Sequence, residues 1–209
     1  MAKAKTSKKE ESKREHLKIV VPPINLGAFE LTIKGETPLL VNRFAEKSKQ
    51  EMIDNQTQVP KGKKLPRDPH KEYLDSLYRI NNNGKTGMPA GGVKNCLVSA
   101  CRCVHGIKMT EAIAAFHVLA TAPGNLLEIK GKHKMDSRIV RIGRFGNKIA
   151  TNRYRAIYDK WEVKVPIKYN TTMISPAQLV NLAQHAGFSV GLCEHRPEKK
   201  GNNGMFSVK

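Results

Sequence analysis

Phe29, Leu31 and Ile33 alternate with Glu30, Thr32 and Lys34. A two-residue period of this kind predicts a strand with one buried face and one wet face, starting near Ala28 and ended by Gly35 and Pro38. The period returns late in the chain, where Trp161, Val163, Val165 and Ile167 face one way and Lys160, Glu162, Lys164 and Lys168 the other. A helical period stands between the two. Val93, Cys96, Leu97, Ala100 and Val104 form one stripe of a helix from Pro89 to Val104, with Pro89 suited to a first turn and Gly106 to a stop. A second helix opens at Ser175 as N-cap and Pro176 at the first position, carries Leu179, Leu182, Ala183 and Ala186 inward, and is expected to close at Gly187. Weaker signals predict a short helix over 111–116, strands over 117–121 and 126–129 around the turn Ala122-Pro-Gly-Asn125, and a last strand reaching Val208.

Two stretches break this rhythm. Residues 42–87 are polar and mixed in charge, with prolines and the loop Asn81-Asn-Asn-Gly84, and predict a long insertion holding a short helix around His70–Arg79. Residues 129–168 hold twelve Lys and Arg against three Asp and Glu, and 130–158 predict a basic hairpin arm. The element order is then strand, insertion, helix, strands, arm, strand, helix, glycine loop, strand. It predicts an α+β fold, a ferredoxin-like or RRM-like βαββαβ core with a long insertion after the first strand. Residues 1–27 are expected to be a disordered basic tail and 28–209 the folded domain.

Charge changes the picture most. The 209 residues carry 37 Lys and Arg against 18 Asp and Glu, a net charge of +19. Such an excess repels itself unless a polyanion neutralises it, and nucleic acid is the commonest polyanion. Aromatics are only 6% of the chain, which argues against a broad base-stacking surface. No apolar run approaches a membrane span, and no basic amphipathic helix points to a membrane surface. Of four cysteines, Cys96, Cys101 and Cys103 crowd one helix, so all four, with Cys193, read as reduced thiols of a cytoplasm, bacterial or that of a phage-infected host. Cys101, Cys103 and His105 alternate, which does not converge ligands on a zinc ion when the residues lie on a helix. No cofactor motif appears: neither a P-loop, a dinucleotide fingerprint nor a paired acidic metal cluster.

The loop from Gly191-Leu-Cys-Glu-His-Arg196 through Gly201-Asn-Asn-Gly204-Met-Phe206 resembles the C-terminal glycine-rich loop of the RAMP superfamily, the RRM-like proteins of CRISPR effector complexes. Over residues 28–208 the element order is most similar to their backbone subunits, which polymerise along a guide RNA. The resemblance implies that 42–87 and 130–158 act as palm and thumb contacts, and that the partner is a single strand, RNA before DNA, with copies of the chain assembling along it. A RAMP-like protein working alone, such as one carried by a phage, fits the same pattern.

The candidate binding residues fall in two groups. Arg138, Arg141, Arg144, Lys148, Arg153 and Arg155 lie on the arm, where guanidinium forks suit phosphates. Gly191, Gly201 and Gly204 are expected to offer free backbone amides to a phosphate, with Arg196, Lys199 and Lys200 supplying charge. The two groups are expected to form one continuous surface. Phe145, Tyr154 and Tyr158 are candidates for stacking on a base. The reading is a non-catalytic, backbone-binding protein. Its rivals are a small metal-independent endoribonuclease using His195 as acid or base, and an assembly protein for which nucleic acid is only a scaffold.

Overall fold

The computed structural model describes residues 21–60, 66–81, 84–143 and 148–209. Residues 1–20 of the expected tail lie outside this set, and Val21–Asn25 are exposed and without secondary structure.

The two alternating segments become the centre of the main sheet. Strand β1 (Leu26–Gly35) pairs antiparallel with β9 (Glu162–Asn170), setting Leu31 opposite Val165 and Ile33 opposite Val163. That register puts the apolar residues of both strands on one face, where all four are buried. Each such side chain contributes about 1.5–3 kcal/mol by leaving water. Lys34, Lys164 and Lys168 remain exposed on the other face. Strand β6 (Leu126–Lys130) pairs with the far edge of β9, and the last strand, β10 (Phe206–Val208), with β1. The order β10-β1-β9-β6 is the arrangement that a βαββαβ chain gives: fourth strand, first, third, second. Helices α3 (Ala90–Ala100) and α5 (Pro176–Ser189) pack on each other and share one core with the inward rows of the sheet. The fold is α+β with the RRM-like strand order. No helix among the described residues is long and apolar enough to cross a membrane.

Several boundaries differ from the sequence expectation. The helix predicted to reach Val104 stops at Ala100 and continues as a 3-10 turn over Cys101–Cys103, while Gly106 takes φ +96° in the chain beyond it. Gly187 does not end α5 but lies inside it. A Cβ there would sit 1.9 Å from the carbonyl oxygen of Phe206, so the glycine is needed for β10 to approach the helix. Ser175 caps α5 as expected, in a reciprocal capping box with Gln178.

The segment 42–87 builds more structure than its polarity suggests. It contains α1 (Glu46–Gln56), α2 (Pro69–Asp75) and a short strand, β3 (Tyr78–Arg79). The helix expected around 70–79 ends early because Ser76 takes the cap position and turns its hydroxyl back onto the carbonyl of Tyr73. Strand β4 (Thr86–Pro89) then pairs with β6 and β3 with β4, widening the main sheet beyond its four-strand centre. On the same edge of β9 as β6, but at the other end of that strand, α4 (Met109–Ala115) leads into β5 (Phe116–Val118), which also pairs with β9.

The arm is a long hairpin, β7 (His133–Ile142) against β8 (Ile149–Tyr158). Its root is tied to the body by β2 (Leu39–Val41), which pairs with β8 to make a separate three-stranded sheet.

Candidate nucleic-acid interface

Register decides what the arm presents. Arg138 lies directly opposite Arg153, and Asp136 opposite Arg155, so these four side chains share one face. Two like charges at directly opposed positions repel, and acids reduce that repulsion from both ends. Arg138 pairs with Asp136 at 2.9 Å, and Arg153 approaches Glu194 to 4.0 Å. Both arginine side chains remain more than a third exposed. Arg141 falls on the opposite face, opposite Ala150, exposed and without an acidic partner among the described residues. Lys148 is exposed just before β8, and Arg144 and Phe145 lie outside the described residues.

Arg155 corrects the sequence reading. It is 5% exposed and forms an ion pair with Glu194 of the glycine loop. It therefore holds the arm to the loop and presents nothing to solvent. The stacking candidates change as well. Tyr158 is fully buried, its hydroxyl 2.7 Å from that of Thr86, and burial pushes its ionisation up to about 12 although the Thr86 hydrogen bond opposes this. Tyr154 is covered by Arg67, whose guanidinium lies 5.9 Å from the ring centre and also donates to the Asn152 carbonyl at 2.7 Å.

The glycine loop is a closed clasp and not an open cradle, which corrects the expectation of free amides. The Gly191 amide donates to Ala186, that of Gly201 to Arg196 and that of Gly204 to Pro38, all to backbone carbonyls. The glycines answer to packing. Gly204 takes φ +72°, and a Cβ there would lie 2.0 Å from the Leu192 carbonyl oxygen; one on Gly201 would lie 1.9 Å from that of His195. Arg196 is committed to Glu198 at 2.7 Å and to the Cys193 carbonyl, and Glu198 also pairs with Arg102. Lys199 and Lys200 are exposed, with no acidic partner among the described residues. His195 is exposed, and its ring, which lies against Gly201, has no hydrogen bond among the described residues.

Glu194 joins the two groups. Its carboxylate receives Arg155 and, at 2.7 Å, the side-chain amide of Asn42, and its backbone N–H donates to the Leu40 carbonyl at 3.0 Å. Arm, insertion and loop thus meet at one residue. Beside it a pocket of about 290 Å³ opens between the loop and the start of α3, with Asn42, Asn95, Ser99 and Arg196 at its wall. At its floor the Cys96 thiol donates to the Gly191 carbonyl at 3.2 Å, and burial pushes its ionisation up to about 12, which leaves it inert at neutral pH.

No family model matches the chain, and no curated protein matches it. Among solved structures the chain is similar to Cmr6 from Pyrococcus furiosus, with a TM-score of 0.45 and 9% identity over 90% of this chain and 100% of that one.

One feature of the pocket went unrecognised in the sequence. Gly91 and Gly92, in the first turn of α3, have nothing within 4 Å of where a Cβ would stand, and Gly92 lines the pocket. Unlike the loop glycines, they have no packing reason to be glycine. The run Pro89-Ala-Gly-Gly-Val-Lys94 was the available signal: glycines cost helix stability, so a pair inside a first turn calls for another explanation. No cluster of three or more His, Cys, Asp or Glu suited to a metal ion occurs among the described residues.

Proposed function

We propose that this protein binds the sugar-phosphate backbone of a single strand, RNA in preference to DNA, along the arm face that carries Arg138 and Arg153, and does not cleave it. The observation that carries this reading is the direct opposition of Arg138 and Arg153 on a hairpin that stands away from the core. A fold gains nothing by placing two guanidinium groups face to face. A phosphate between them removes the repulsion and accepts from both forks. Lys148 adds charge toward the tip, Arg141 adds it on the other face of the hairpin, and Lys199 and Lys200 add it at the loop. The preference for RNA rests on the resemblance of the glycine loop to that of RNA-guided assemblies.

The test is a salt titration of binding to labelled single-stranded RNA and DNA of several unrelated sequences. With about three phosphates neutralised by Arg138, Lys148 and Arg153, log K should fall against log salt with a slope of about −2. The double variant Arg138→Glu with Arg153→Glu should weaken every sequence alike, because phosphate contacts position a strand without reading it. A slope near zero, or an effect confined to one base composition, overturns the proposal. Cleaved RNA that disappears in His195→Ala would overturn its non-catalytic part.

A further inference from the structure

A second basic concavity lies at the root of the arm, in the open groove of about 480 Å³ between the β6–β7 turn and the start of β4. Lys85, Lys130, Lys132 and His133 line it together with one acid, Glu128. That acid is taken, since Lys85 holds it at 3.0 Å. Lys130 and Lys132 are exposed and have no ion pair among the described residues; Lys130 has Glu162 as its cross-strand neighbour. Between the two lysines Gly131 fixes the turn. A Cβ there would stand 2.4 Å from the carbonyl oxygen of Lys160, so the turn is pressed onto the neighbouring chain and the lysines flank a point without a side chain.

His133 completes the wall. Its Nδ1 is held 2.6 Å from the Tyr73 hydroxyl and its ring packs edge-on against Tyr158, which fixes the imidazole and leaves Nε2 as its remaining nitrogen. His133 and Arg138 fall on opposite faces of the hairpin, since their positions in β7 differ by an odd number of residues. The groove is therefore separate from the proposed strand-binding face.

The geometry points to a phosphomonoester site here, with Lys130 and Lys132 as counter-charges and the His133 Nε2–H as a hydrogen-bond donor. A terminal phosphate has three free oxygens and nearly two charges, matching two ammonium groups and one ring donor, whereas an internal phosphodiester offers two oxygens and one charge. The groove is roomy enough for a nucleotide as well as its phosphate. Free mononucleotides and the phosphorylated end of a strand share this chemistry.

Calorimetric titration of the full chain tests the site, with adenosine monophosphate, adenosine, and one short RNA carrying either a 5′-phosphate or a 5′-hydroxyl as probes. Adenosine monophosphate should bind at least about ten-fold more tightly than adenosine, a difference of about 1.4 kcal/mol. Lys130→Ala with Lys132→Ala should abolish that difference, and Lys130→Arg with Lys132→Arg should keep most of it. The alanine pair should weaken the 5′-hydroxyl RNA less than about three-fold, whereas Arg138→Glu with Arg153→Glu should do the opposite, weakening the RNA and sparing the mononucleotide. A 5′-phosphate that tightens the RNA through these lysines identifies a strand end as the source; a gain for the mononucleotide alone identifies a free nucleotide. Equal binding of adenosine and its monophosphate, or a monophosphate preference that survives the alanine pair, overturns the site. Because the two sets of variants are separate, failure here leaves the arm proposal standing, and the reverse.

Discussion

Strands β8 and β9 are neighbours in the chain and similar in length, yet they bury different things. In β9 burial alternates: Val163, Val165 and Ile167 are inside and Lys164 and Lys168 are out. In β8 burial runs with distance. Arg155, Ala156, Ile157 and Tyr158 are consecutively buried at the root, while Ile149 near the tip is 75% exposed, and Ile139 on the partner strand β7 is 77% exposed. The main sheet has one covered face, so the pleat decides what is buried. The arm is covered on both faces at its root, by the glycine loop on one and by α2 on the other, while farther out, among the described residues, Ile139 and Ile149 lie exposed. At the root an arginine is sealed in, and farther out isoleucines face water. The part of the chain shaped by a core obeys polarity; the arm does not, as expected of a surface that meets something else.

Four substitutions or conditions sharpen that contrast. The largest effect belongs to Gly204→Val. The left-handed backbone strains a β-branched residue, and the added carbon meets the Leu192 carbonyl, so about 4 kcal/mol should be lost in urea denaturation, or the protein should fail to fold. Stability close to that of the unsubstituted protein would show that the clasp can open. Next is Glu194→Ala, which leaves Arg155 buried and unpaired. Because Glu194 is itself a third exposed, the loss should be about 3 kcal/mol, at the lower end for a broken buried pair. Replacing both partners, Arg155→Met with Glu194→Leu, should recover most of it, and no recovery would mean that the carboxylate acts mainly through Asn42.

Acid should act more gently. Burial holds the His133 imidazole below its ordinary value, so the unfolded chain takes up the proton more readily than the folded one. This contribution is present above pH 6.5 and lost as pH falls through and below it. Melting temperatures of the unsubstituted protein and of His133→Gln, compared between pH 7.5 and 5.5, should show the steeper decline in the former; parallel curves would remove His133 as a cause. The smallest effect is expected for Ile139→Ser. Its side chain is 77% exposed on the arm, so denaturation should move by less than about 0.5 kcal/mol, whereas Val165→Ser in β9 should cost several times that. A large loss from Ile139→Ser would mean that the exposed tip packs against something in solution.

What the sequence by itself determined is the part of the molecule that one periodicity describes. The alternation of β1 and β9, the stripes of α3 and α5 and the cap at Ser175 each follow from local geometry and the burial of one face, and together they specify the βαββαβ order. The concentration of charge in the arm was equally legible, because composition needs no partner to be read. Tertiary structure decided which of those charges are available. Arg155 and Arg153 look alike in the sequence and differ by two positions on the same face, yet Glu194, thirty-nine residues beyond Arg155, captures one and only approaches the other. The loop glycines looked like a cradle and proved to be points of close packing, because a φ above zero or a carbonyl 2 Å from an absent Cβ depends on where distant backbone passes. The groove of Lys130, Lys132 and His133 likewise exists only because the root of the arm folds back beside β4. Periodicity encodes which face is buried; it does not encode which residue from elsewhere in the chain arrives to cover it.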